Sequence, residues 1–538
     1  MQRVFPGFIT GVVCTVAAAA PPEEGAWEPR LDINQPPWSN ASAGVGGVAH
    51  HAILLHTGEV LCIDTEHSSR PAEFLFNPAN NEARADFVPR SAISPQIGLM
   101  CSGHAPLPDG RIVFVGGADS DGGGTEKVLL FNPAQSSAEQ NPWSALADLH
   151  YGATPGPRWY PTVTSLPEGD VLVTGGTPSP NGASAPCYNC PGADCRGAPL
   201  RDPALLPVII RPDHPAVTQQ VWLDQQDGQG AYTAGRDLVW YPFTFPLSTG
   251  RIFSGGTHER HRCGGFPPRE TLVLNPGLQT WSMAATAPIE GYSAAMYSGN
   301  FVIKGDQHQA FIADVKEDPP DWSNVSADFI GREHVQFTIM ADGNVIAMGG
   351  EVDDEPVMTP QIFRPDAPPT QRWKTVAPHQ RPRAYHSATL LLPDGRVMVA
   401  GGTDPGRQPS IEIYRPPYLF DDDGTYPSTR RVTIDAAPTQ MEYDKTYEVT
   451  LTTPHTSEVR AVHLLRLGAA THGLDHNQRL VKLDFTRTNS TALKIQAPAN
   501  AQLAQFGFYM LFILTDGDRP HVLVPSVSRM VRMVKVID

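Results

Sequence analysis

"RAYHSATLLLPDGRVMVAGG" occupies residues 383–402. From Ser387 onward apolar residues dominate, which reads as a strand. Asp394-Gly395 then reads as a two-residue turn. "RVMVA" runs back as a second strand and stops at Gly401-Gly402. The front of the stretch does not fit a plain hairpin. Tyr385 and His386 stand side by side where the apolar strand begins.

The same hairpin recurs along the chain, and repeats decide architecture before any single element does. "CSGHAPLPDGRIVFVGG" starts at Cys101, "YPTVTSLPEGDVLVTGG" at Tyr160 and "YPFTFPLSTGRIFSGG" at Tyr241. "HVQFTIMADGNVIAMGG" starts at His334, and "HSATLLLPDGRVMVAGG" at His386. Two weaker copies, "AHHAILLHTGEVLCIDT" from Ala49 and "EGYSAAMYSGNFVIKGD" around Gly299, lack the paired glycines. Several copies continue into a third strand and a tryptophan, as in "TLVLNPGLQTWSMAA". That describes a four-stranded blade at a period of roughly 45 to 80 residues, within reach of the kelch repeat once loops are allowed. A solenoid would need atypical end repeats, and these copies are ordinary at both ends.

The expected fold class is therefore all-β: a seven-bladed kelch-type propeller over 45–417. "DDDGTYPSTRR" then reads as a linker, and short alternating strands follow. They predict a β-sandwich over 418–538. The first residues, "MQRVFPGFITGVVCTVAAAA", pair a basic residue with an apolar stretch and small residues. They predict a secretory signal over 1–20 ahead of an N-terminal segment over 21–44. The composition agrees with a turn-rich all-β protein: 538 residues, 48 Gly, 53 Pro and 41% hydrophobic residues. A formal charge of -16 argues against nucleic acid. No apolar run is long enough for a membrane span.

Nine residues before the turn glycine of each strong copy stands Cys101, Tyr160, Tyr241, His334 or His386. In a propeller equivalent inner-strand positions form a ring at one mouth of the axis. Strand starts otherwise favour Val or Thr. Structural zinc sites use Cys and His rather than Tyr. Phenolate with imidazole suits Cu(II) or Fe(III). The tail offers a further imidazole in "LGAATHGLDHNQRLV", where His472 sits at the tip of a predicted hairpin.

These residues together resemble the copper radical oxidases, the galactose oxidase and glyoxal oxidase group, over nearly the whole mature chain. "RAYHSATLLLPDGRVMVAGG" is similar to the family's Tyr-His ligand blade, and "ATHGLDHNQRL" to its distal histidine hairpin. "MCSGHAPLPDGR" and "RWYPTVTSLPEG" look like the two blades of its Tyr-Cys crosslink, and "PPYLF" like its exit from the propeller. The resemblance implies that the sandwich is immunoglobulin-like. It also implies one copper per chain, bound by Tyr160, Tyr385, His386 and His472, with Cys101 and Tyr160 joined as a thioether radical cofactor. Cys101, Tyr160 and Tyr385 would carry catalysis, with Tyr385 as axial ligand and proton acceptor.

"RWYP" and "WYPFTFPLSTGRIF" look closer to the glyoxal oxidase branch. The galactose-oxidising branch carries a tryptophan stacked on the crosslinked tyrosine. The stretch after Gly176, "TPSPNGASAPCYNCPGADCRGAPL", contains none. The expected enzyme is a secreted monomer that oxidises small aldehydes or primary alcohols with dioxygen and releases hydrogen peroxide. A non-catalytic kelch binding module would not need the five site residues together. A quinoprotein would need a basic pocket. Cys187, Cys190 and Cys195 with Cys263 could bind zinc, but export favours two disulfides, which leaves Cys62 as a buried thiol.

Overall fold

The computed structural model describes residues 22–33, 47–64, 73–85, 87, 98–118, 123–137, 140–178, 203–227, 232–236, 238, 240–257, 269–291, 293–317, 319–452 and 456–535. The signal at 1–20, and Cys187, Cys190, Cys195 and Cys263, lie outside the described residues.

All seven hairpins form. Their first strands are His51–Leu54, Gly103–Pro106, Thr162–Ser165, Thr244–Pro246, Ser293–Ser298, Gln336–Ile339 and Ser387–Leu391. Each belongs to a separate antiparallel sheet and begins its strand order, except His51–Leu54, which has Ala469–Thr471 on its other side. Five of these sheets have four strands. The first strands of neighbouring sheets pack on one another: Gly103–Pro106 on Thr162–Ser165, Thr162–Ser165 on Thr244–Pro246, Ser293–Ser298 on Gln336–Ile339, Gln336–Ile339 on Ser387–Leu391, and Ser387–Leu391 on His51–Leu54.

The turn is one residue longer than the sequence suggests. The Leu392 amide donates to the Arg396 carbonyl at 2.8 Å, and the Gly395 amide to the Leu392 carbonyl at 2.9 Å. The loop is thus Pro393-Asp394-Gly395, with Gly395 at φ 85°. A three-residue hairpin loop closes with a left-handed residue, and glycine takes that conformation without steric cost.

The paired glycines have a different cause. A Cβ on Gly349 would stand 2.1 Å from the carbonyl oxygen of Arg383, and one on Gly401 would stand 2.2 Å from that of Ala49. Only a bare backbone lets adjacent sheets approach this closely. The Gly350 amide then donates to the Arg383 carbonyl at 2.8 Å. The arginines that precede the ring positions are buried and clamp the same corner. Arg383 donates to Gly401 O at 2.8 Å and to Glu412 Oε2 at 2.7 Å. Arg158 reaches Gly175 O, and Arg332 reaches Gly349 O.

The tryptophans that mark the repeat sit in outermost strands and are buried. Trp373 Nε1 donates to Val325 O at 2.6 Å, across to the preceding sheet. Upstream, Ala26–Trp27 and Leu31–Asp32 both pair with Ser410–Arg415, so the segment ahead of the first hairpin adds to the last sheet.

Beyond Tyr426 two further sheets share one apolar core of residues such as Val449, Leu464, Leu493, Ile513 and Val531. One hairpin leaves them. Ala469–Thr471 pairs antiparallel with His51–Ile53 and brings His472 against the first strands of the repeat. Among the described residues no helix is long and apolar enough to cross a membrane.

Candidate metal centre

The ring register brings its residues together. The Tyr160 amide donates to the Cys101 carbonyl at 2.8 Å, and the Tyr241 amide to the Tyr160 carbonyl at 2.8 Å. Three successive sheets are thus stitched at the ring positions themselves. The backbone at this level is strained. Cys101, Tyr160, Tyr241, His334 and His386 have φ of 60°, 62°, 41°, 56° and 63°, and His472 on the inserted hairpin has 48°. Non-glycine residues rarely occupy this region, and each costs on the order of 1–3 kcal/mol. Six such residues converging on one place mark a site whose geometry the fold imposes.

The ligand atoms of Cys101, His386 and His472 lie within 4.8 Å of one another, and all three residues are buried. Cys101 Sγ is 4.0 Å from His472 Nε2. The His386 and His472 rings are 4.3 Å apart and nearly perpendicular, at 88°. A threonine holds each imidazole from behind. His386 Nδ1 pairs with Thr403 Oγ1 at 2.8 Å, and His472 Nδ1 with Thr471 Oγ1. On His472 it is the other nitrogen, Nε2, that meets Cys101 Sγ. Fixing one ring nitrogen with an outer partner is how proteins orient a metal-binding imidazole.

The phenols complete the set. Tyr160 Oη and Tyr385 Oη share a short hydrogen bond. Tyr385 lies 3.9 Å from the His386 ring and 5.3 Å from that of His472, and Tyr160 lies 4.9 Å from His472. The five residues singled out in the sequence therefore cluster at one place, four of them buried and Tyr385 half-buried. Two imidazoles, two phenols and a thiol suit a borderline redox metal such as copper better than zinc or magnesium.

The aromatic cover of Tyr160 comes from outside the tryptophan-free stretch that follows Gly176. Trp159, its immediate neighbour, lies 4.1 Å away at 12°, and Tyr241 covers the other face at 4.7 Å and 27°. Trp240 stands edge-on to Trp159 at 5.2 Å. The signal was in the chain as "WYP" at 159–161 and again at 240–242. A search confined to the stretch after the hairpin passes over it. Tyr241 Oη donates to Ser102 O at 2.9 Å, and burial pushes its phenol well above the usual tyrosine range. Cys62 lies apart from the centre on Val60–Ile63. Its thiol is buried and pushed up by that burial, a packing cysteine rather than a reactive one.

Comparison with known proteins agrees with this arrangement. The family model described as glyoxal oxidase N-terminus matches residues 339–410, which hold Tyr385 and His386. The model described as galactose oxidase-like, early set domain matches 430–533, which hold His472. The aldehyde oxidase GLOX of Vitis pseudoreticulata is 27% identical over 81% of this chain and 82% of its own. Art an 7 of Artemisia annua, grouped by its name with the aldehyde oxidases, is 31% identical over 77% of this chain and 72% of its own. A galactose oxidase of Gibberella zeae is 28% identical over 38% of this chain and 30% of its own. Among solved structures a fungal alcohol oxidase in complex with copper superposes with a TM-score of 0.70. It covers 95% of this chain and 99% of its own at 18% identity, a likeness of fold. The chain belongs to the copper radical oxidase family of glyoxal and galactose oxidases.

Proposed function

We propose that this chain is a secreted copper radical oxidase acting on small aldehydes, as their hydrates, and secondarily on primary alcohols. The observation that carries the reading is the convergence of Tyr160, Tyr385, His386 and His472 with Cys101 in one cluster. In this reading the seven sheets close as a kelch propeller over 45–417, an immunoglobulin-like sandwich follows over 418–538, and residues 1–20 are a secretory signal.

The donor set fits one copper. His386 and His472 would hold it through Nε2, and Tyr160 and Tyr385 through their phenolic oxygens. Bound there, copper would supply Lewis acidity and one-electron redox capacity. The protein's own groups divide the remaining work. As a phenolate, the Tyr385 oxygen would accept a substrate hydroxyl proton. Tyr160, joined to Cys101 as a thioether and carrying the radical, would accept the hydrogen atom from the substrate carbon at its phenolic oxygen. Trp159 and Tyr241 cover both faces of that ring and keep water from it. Thr403 and Thr471 fix the imidazole tautomers. For an aldehyde hydrate the sum is RCH(OH)2 + O2 → RCOOH + H2O2.

Support for aldehydes over sugars comes from the glyoxal oxidase model match and from relatives named aldehyde oxidases. Peroxide release from copper-loaded protein on glyoxal, methylglyoxal, galactose and benzyl alcohol tests it. The two aldehydes should be turned over fastest. Efficient galactose oxidation without aldehyde activity would reverse the assignment.

A further inference from the structure

Trp-Tyr-Pro occurs twice at the centre, at 159–161 and at 240–242. In both copies the tyrosine is the ring residue and is buried, while the tryptophan before it is half-buried. Covering one face of Tyr160 accounts for Trp159 but leaves Trp240 without a task. Trp240 stands edge-on to Trp159 at 5.2 Å and to Tyr160 at 5.8 Å, each at 87°. Its Nε1 donates to Thr177 Oγ1 at 3.3 Å. With the 4.1 Å stack of Trp159 on Tyr160, three rings run in contact from the buried phenol to the partly exposed edge of their apolar cluster. Any flat apolar side chain would shield Tyr160. Indole and phenol differ from phenylalanine in that they can give up a single electron.

In the oxidase reading the centre takes two electrons from substrate and passes two to dioxygen. A stray electron that quenches the Tyr160 radical leaves it one short, and neither two-electron partner restores it. Recovery needs a one-electron oxidant. Tyr160 is only 2% exposed, so such an oxidant does not touch it. Electron tunnelling falls off exponentially with the gap, and rings in contact shorten each step to the minimum. An indole is harder to oxidise than a phenolate bearing a thioether, so a vacancy created on either tryptophan runs downhill to Tyr160. The Thr177 hydroxyl is too weak a base to take the indole proton from Trp240, so the electron moves alone.

Resting on the oxidase reading above, we propose that Trp240 and Trp159 form a one-electron relay through which an outer-sphere oxidant at the surface regenerates the radical on Tyr160. One electron passes from the Tyr160 phenolate to Trp159, from Trp159 to Trp240, and from Trp240 to the oxidant. Both indoles end as they began, the phenolate becomes a phenoxyl radical, the oxidant is reduced by one electron, and no proton crosses.

Full-length, copper-loaded protein, brought to the form that keeps the copper(II) signal but lacks the radical absorption, should be mixed with hexachloroiridate(IV) in a stopped-flow cell. The growth of the radical band gives the rate of formation, and its final height gives the amount formed. Trp159→Phe keeps a ring on Tyr160 but removes the innermost step. The rate should fall about tenfold, the equivalent of some 1.4 kcal/mol of barrier. Trp240→Phe should slow it by a smaller factor. Trp159→Tyr and Trp240→Tyr, which restore an oxidisable ring of similar packing, should each recover part of the loss. Copper content and the final height should match wild type throughout, which separates a relay from a change in radical stability. If a Trp159 variant is poorly folded, the Trp240 pair decides. Wild-type rates in both phenylalanine variants would overturn the relay and bring the electron out by another path, such as Tyr385. Tyrosine variants no faster than the phenylalanine ones would overturn it too, since packing alone would then explain the rates. Mass mapping that finds no link between Cys101 and Tyr160 in the wild type would overturn the oxidase reading itself, and the relay with it.

Discussion

The amide of Tyr160 donates to the carbonyl of Cys101 at 2.8 Å, from one sheet to the next. The two residues are 59 positions apart in sequence and stand at the same register of successive hairpins, nine before Gly110 and Gly169. The repeat converts that register into contact. A hydrogen bond between their main chains fixes both side chains at one level, where the thiol and the phenol meet the histidines from farther along the chain.

Removing a metal-facing imidazole should empty the centre. His386→Ala or His472→Ala should lower bound copper from one per chain to a small fraction, read by atomic absorption on dialysed protein. Thr403→Val frees His386 Nδ1 from its fixed partner and should weaken copper binding by about 10- to 100-fold. Full occupancy in both alanine variants would remove the two histidines from the ligand set.

Trp159 should protect a radical on Tyr160. Its ring lies 4.1 Å from that of Tyr160 and nearly parallel, and such a pair is worth about 0.5–1.5 kcal/mol beyond buried area. Trp159→Leu should keep copper but shorten the lifetime of the oxidised, radical-bearing form several-fold, followed by its visible absorption. A lifetime equal to wild type would leave Tyr241 and Trp240 as the shield.

Much of this arrangement was legible in the chain, and the reasons are specific. Apolar alternation and the Asp-Gly turns expose the hairpins, and a fixed offset from the turn glycine exposes the ring, because period and register survive in sequence. The length of the turn at Pro393-Asp394-Gly395 was misread by one residue, since only the Leu392–Arg396 pairing reveals it. The stacking of Trp159 was missed because neighbours along a strand ordinarily point to opposite faces. Here the positive φ of Tyr160 breaks the alternation and brings the two rings parallel. Likewise, nothing in sequence pairs His334 with Glu351, which lie 17 residues apart across a hairpin.

Acid should destabilise the fold before it unfolds the surface. Burial holds His379 and His476 at about 3 and His463 at about 4. In the unfolded chain they titrate near ~6.5. Between those values the unfolded state binds more protons, so these groups contribute stability that is full above pH ~6.5 and is lost as the pH falls toward 4. Asp342, raised to about 6 by burial, acts in the opposite sense between ~3.9 and 6, as do Asp170 and Asp475, also raised by burial, while His51 and His104, lowered by burial, add to the imidazole side. The thermal midpoint should drop steadily from pH 7 to 4.5, and His463→Gln should flatten the slope. A midpoint that rises on acidification over this range would contradict the assignment.

The covalent state of Cys101 and Tyr160 tests the central claim most directly. Copper-loaded protein, aged in air, digested and mapped by mass spectrometry under reducing conditions, should yield the Cys101 and Tyr160 peptides joined, two hydrogens lighter than their sum. A thioether survives the reductant that would cleave a disulfide. Protein prepared without copper should yield the two peptides separately, and Cys101→Ser should abolish the link while leaving copper bound. If the wild-type, copper-loaded, aerated protein gives both peptides free, the chain does not carry the Tyr-Cys cofactor, and its ring of strained tyrosines and histidines does not work as a radical oxidase centre.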